Sequence, residues 1–139
     1  MDAGKDKPTA LLIRKHTLLA LLVVTPLGFI FKHYLGSFHN WFSNYGAGLL
    51  YEIFWILVSF IFFPAPKAVR RIPILVFAAT CILEILQLWH PWLLEAFRAS
   101  YLGKVLIGTS FIWWDFVYYA MGCFIGWLLM RWILNLCHK

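Results

Sequence analysis

The chain has 139 residues, 63% of them hydrophobic and 13% charged, with a formal net charge of +6 and a mean hydropathy of +0.78. Water-soluble domains carry about a quarter charged residues, so this composition excludes an ordinary soluble domain and makes the bilayer the main solvent. A hydrocarbon core needs about 20 apolar residues per helix, so the length fits about four spans with short connections and no soluble domain beside them. The basic excess sits in short segments between apolar runs, which is what membrane orientation demands, and nucleic acid is excluded as a partner. Cys81, Cys123 and Cys137 lie in or at the ends of apolar runs, without metal-site or disulfide-framework spacing, and read as small packing residues.

In chain order, residues 1–16 are polar, include Lys5, Lys7, Arg14 and Lys15, and read as a cytoplasmic tail. A first span is expected over about 17–35, with Thr25, Pro26 and Gly28 at a kink site and Lys32 near enough to the end to snorkel. It runs on into Lys32, His33 and Tyr34 without a small-residue cleavage site, so it reads as a retained helix rather than a signal peptide. The loop Gly36 to Gly46 carries Trp41 and Tyr45, whose amphipathic rings suit the interface. A second span is expected over about 47–63, ended by Pro64 and Pro66, followed by a basic loop with Lys67, Arg70 and Arg71. The third is expected over about 72–89, stopped by His90, Pro91 and Trp92. Apolar Leu94, Phe97, Tyr101 and Leu106 then alternate with Glu95, Arg98 and Lys104, the pattern of an interfacial or partly re-entrant segment. A last span is expected over about 111–136. The fold class is therefore all-α: a bundle of four transmembrane helices. Lysine and arginine are concentrated in the tail, the second connection and the C-terminal end, which puts both termini inside the cell.

Three acidic residues, Glu52, Glu84 and Asp115, lie inside apolar runs, where an ionisable group costs a few kcal/mol or more and by default marks a functional or paired site. Counted along their helices at 1.5 Å per residue, all three fall roughly 6 to 8 Å below the outer boundary, in one layer. Gln87 follows Glu84 by one turn on the same face. Arg98, in the outer connection, is the expected counter-ion, since its planar fork can hold a carboxylate. The last span adds Tyr118 and Tyr119, then Gly122 and Gly126 at small-xxx-small spacing for close helix packing. His39 and His90 lack diagnostic metal spacing, and no cofactor or metal is implied.

The order of these residues resembles the VanZ-like family of small bacterial membrane proteins. Glu84-Ile85-Leu86-Gln87 is similar to that family's Glu-x-x-Gln at a helix end, Arg98 to its outer-loop arginine, and Asp115 to the aspartate opening its last helix. Gly122 and Gly126 are similar to the glycines after that aspartate, while Tyr119 or a neighbour stands where many such sequences have asparagine. The stretch Gly46 to Glu52 is similar to one in a compact group catalogued only as a domain of unknown function. The resemblance implies a multi-pass protein of the bacterial inner membrane and no established reaction.

The expected function is binding of a cell-envelope or lipid-linked molecule at an outward-facing site of Glu52, Glu84, Gln87, Arg98, Asp115 and Tyr119. Catalysis is disfavoured because no nucleophile or cofactor motif is present. The alternatives are a proton- or cation-coupled transporter, for which membrane carboxylates are the usual relay, and a structural subunit packing through Gly122 and Gly126. Membrane lipids are expected partners, with homo-oligomers or a partner subunit allowed by the small-residue faces.

Overall fold

A computed structural model describes residues 10–107 and 110–138. The first nine residues of the expected tail, with Lys5 and Lys7, lie outside them. Among the described residues the protein is all-helical: α1 (Ala10–His33), a π-turn (Trp41–Gly46) running directly into α2 (Ala47–Phe62), α3 (Ala68–Leu86), short α4 (Trp92–Ala99) and α5 (Tyr101–Leu106), and α6 (Trp113–Cys137). Three segments, Ala10–His33, Trp41–Phe62 and Trp113–Cys137, are long and apolar enough to cross a membrane.

Helix α1 starts well before the expected residue 17, because Ala10 to Ile13 are apolar and join the helix ahead of Arg14 and Lys15. Ile13 is buried in the core, and the Arg14 Nε donates to the carbonyl of Ile61 at 3.0 Å, closing the end of α2. The expected loop before the second span is instead largely the π-turn. Its aromatic residues hold it on α6: Trp41 Nε1 donates to the Tyr118 hydroxyl at 3.1 Å, and the Tyr45 ring stacks on Tyr118 with centroids 4.7 Å apart. Backbone bonds of π type tolerate the wider turn when side chains fix it from outside.

Helices α2 and α6 form the central pair, with α1 and α3 each packed against both. Their close approach depends on glycine. A Cβ at Gly122 would stand 2.7 Å from the Leu49 carbonyl oxygen and 2.7 Å from the Glu52 Cβ, and one at Gly126 would stand 2.7 Å from Ile56. At the end of the bundle where α2 and α6 finish, Ile56, Leu57, Phe60, Met130 and Ile133 make a fully buried apolar core. Outward faces are also apolar, as at Leu22, Ile74, Leu75 and Phe124, the surface expected of a protein whose solvent is lipid. Between α3 and α6, Ser100 caps α5 by accepting from the Gly103 N–H at 3.0 Å, and α5 packs so tightly on α4 that a Cβ at Gly103 would fall 1.9 Å from the Phe97 carbonyl oxygen.

Candidate functional site

The opposite end of the bundle gathers the last turns of α1 and α3, the first turns of α2 and α6, and α5. Glu84 is the hub there. It sits in the last turn of α3, only 1% exposed. Its Oε2 accepts from Gln87 Nε2 at 2.8 Å and from the Tyr119 hydroxyl at 3.1 Å, and its Oε1 accepts from the backbone N–H of Ile112 at 3.1 Å. Spacing explains the first bond, since residues three apart on a helix face one way. Helix-end chemistry explains the last: Ile112 is the extended N-cap of α6, one of the residues whose N–H groups have no partner within the helix.

Gln87 also donates from Nε2 to the Ile107 carbonyl at 2.8 Å, and Tyr51 on α2 donates to the Leu106 carbonyl at 2.9 Å. Both donor hydrogens of Gln87 are thus committed, and its buried Oε1 has no partner among the described residues. Asp115 lies in the first turn of α6, where the helix dipole favours an acidic group, with its carboxyl beside that of Glu84.

These groups open on a cavity of about 420 Å³. Glu84, Gln87, Asp115 and Tyr119 line one part of it, and Val24, Phe29, Phe54 and Trp55 give it apolar walls. Two cations complete the lining, Lys32 from α1 and Lys104 from α5. Lys32, whose Nζ also reaches the Ser43 carbonyl at 3.4 Å, is the cation that acts on Asp115. Four of the six expected site residues, Glu84, Gln87, Asp115 and Tyr119, therefore meet in one place.

The other two do not join them. Arg98 is not the counter-ion of the carboxylates. Its Nη2 donates to the Leu86 carbonyl at 2.7 Å and its Nη1 to the Trp89 carbonyl at 3.1 Å, so it closes the C-terminal end of α3. Unpaired helix-end carbonyls attract a cation, and they lie nearer to α4 than Glu84 does. The carboxylate that Arg98 does pair with is Glu95, at 2.9 Å, and Glu95 is also 2.6 Å from the His90 Nδ1. Hydrogen bonds from His90 and Arg98 hold the Glu95 carboxyl below its usual range.

Glu52 is fully buried, but deeper than the expected common layer. It packs on Gly122, two turns or about 10 Å further along α6 than Asp115. The π-turn lengthens the second helix outward, so counting from Ala47 understates the depth of Glu52. The thiol of Cys123 is 3.3 Å from its Oε2, and its Oε1 has no partner among the described residues.

Lys32, Lys104, Tyr51 and Trp55 are the functional candidates that sequence reading passed over. A signal existed for Lys32: it stands in the last turn of its helix, as Glu84 does, at the end of the bundle where Asp115 opens α6.

Residues 37–123 match a family described as protein of unknown function (DUF2809), over well more than half of the chain. The chain belongs to this family. The matched region runs from before the π-turn to the middle of α6, so the DUF2809 segment contains Glu84, Gln87, Lys104, Asp115 and Tyr119, while Lys32 and the rest of α1 lie before it. Comparison with curated proteins and with solved structures gave no match.

Proposed function

We propose that this DUF2809 protein is a four-pass protein of the bacterial inner membrane, both termini cytoplasmic, that binds an amphipathic envelope molecule from the outer side. The observation that carries this reading is the cavity itself, where Glu84, Gln87, Asp115 and Tyr119 face one another beside apolar walls. Ligand pockets of this size combine a mostly apolar lining with a few placed polar groups, and one at headgroup depth suits a lipid-like ligand.

Helix α3 serves as the fourth span. Its charges are terminal or buried: Arg70 and Arg71 stand in the first turn, exposed, and Glu84 is shielded in the last. Between them Ile74, Leu75, Ile82 and Ile85 present an exposed apolar face suited to lipid. The resemblance of Glu84, Gln87 and Asp115 to VanZ-like proteins fits an envelope-facing role. Binding is favoured over transport by the apolar packing at the other end of the bundle, where Leu57, Phe60, Met130 and Ile133 are fully or almost fully buried against one another's helices.

Gly28 gives a direct test. It lines the cavity, and a Cβ added there meets nothing within 4 Å, so Gly28→Trp introduces an indole at the cavity wall without a clash at its Cβ. Purified in parallel, this variant should keep its helix content and melting temperature yet lose most of the lipid that copurifies with wild type, read by mass spectrometry. Equal lipid retention by the two proteins would reject the cavity as the binding site.

A further inference from the structure

Resting on that reading, we infer that the ligand is a zwitterionic lipid whose primary ammonium is held by Glu84, Asp115 and Gln87 and whose phosphate is held by Lys32 and Lys104. Among the described residues, the charged ones lining the cavity are two lysines and two carboxylates. A lining that carries both charges in balance complements a molecule with the same property. A purely anionic headgroup would satisfy the lysines and leave the carboxylates facing like charge, and a simple cation would do the reverse.

Hydrogen-bond capacity narrows the choice at the acidic part. Gln87 has committed its Nε2 to Glu84 and to the Ile107 carbonyl, so what it offers is the acceptor Oε1, which has no partner among the described residues. The Tyr119 hydroxyl is likewise committed as donor to Glu84. Glu84 and Asp115 add carboxyl oxygens, and a primary ammonium supplies three N–H donors to such a ring of acceptors. A trimethylated ammonium has none, and its bulk would keep the charge from the carboxylates. The apolar walls at Val24, Phe29 and Phe54 provide for acyl chain beyond the phosphate.

The test uses the full chain in detergent, with phosphatidylethanolamine, phosphatidylcholine and phosphatidylglycerol of identical acyl chains offered in equal amounts, and bound lipid read by native mass spectrometry. Phosphatidylethanolamine should be retained about tenfold over each of the others, the scale of one charge-assisted hydrogen bond. Lys32→Gln, a change at an exposed side chain, should lower that retention, and Gly28→Trp should abolish it. Soluble phosphoethanolamine in excess should not compete, and effective competition by it would overturn the lipid as the source of the headgroup. Equal retention of all three lipids in wild type, lost in Gly28→Trp, would overturn the zwitterion while leaving the cavity as a lipid site. Retention unaffected by Gly28→Trp would remove the underlying reading as well.

Discussion

His90, Glu95 and Arg98 form a small polar cluster outside the bundle, and its chemistry is open to titration. Glu95 accepts from the other two, which lowers its folded pKa below the unfolded carboxylate value of about 4.3. A lowered carboxylate contributes stability above its unfolded value and loses that contribution as pH falls through the folded one. Wild type should therefore melt higher than Glu95→Gln near neutral pH, and the gap should narrow as pH falls below about 4.3 and close once it has passed the lower folded value. A gap that persists in acid would mean that Glu95 acts through packing rather than charge. At this scale, the sequence named Glu84, Gln87, Asp115 and Tyr119, which the structure brings together, and also Arg98, which it places on the end of α3 instead. The presence of a cation near carboxylates says nothing about competing acceptors, and the carbonyls of Leu86 and Trp89 become visible only when the end of α3 is in place.

Among the elements, the α2–α6 contact sets the geometry of everything at the mouth, because α2 carries Tyr51 and Trp55 and α6 carries Asp115 and Tyr119. Gly122 and Gly126 are equally tight points of that contact, but Gly122 faces a backbone oxygen that cannot yield. Gly122→Ala should destabilise the protein by about 1–3 kcal/mol, the usual cost of overpacking a tight core, measured as a fall in thermal midpoint in detergent. Gly28→Ala, with open space at its Cβ, should be close to neutral in the same assay. The small-xxx-small spacing of Gly122 and Gly126 was legible in the sequence, as were the approximate positions of the long helices. The early start of α1 and the π-turn were not. A π-turn has no residue signature, being held by the contacts of Trp41 and Tyr45 with Tyr118 far along the chain. Missing it placed Glu52 too shallow, since depth was counted from the wrong helix start.

For the whole molecule, orientation and site depend on each other. The proposed four-pass topology puts Lys67, which is exposed between α2 and α3, inside the cell, and exposed Tyr101, at the start of α5, outside. In intact cells a membrane-impermeant thiol reagent should label Tyr101→Cys at once and Lys67→Cys only after permeabilisation, whereas the reverse pattern would place the cavity on the cytoplasmic face. The expectation of a one-sided polar site came from acidic residues that recur near the same ends of successive apolar runs. It did not reveal the cavity, because a void depends on which faces α1 and α5 turn toward the centre, and the lysines that complete it come from those two elements. The most direct measurement is an experimental structure in nanodiscs containing phosphatidylethanolamine. Density for a headgroup between Lys32, Lys104, Glu84 and Asp115, with an acyl chain running past Val24 and Phe29, is the expected result. A cavity occupied by water alone, with lipid confined to the outer faces of the helices, would contradict it.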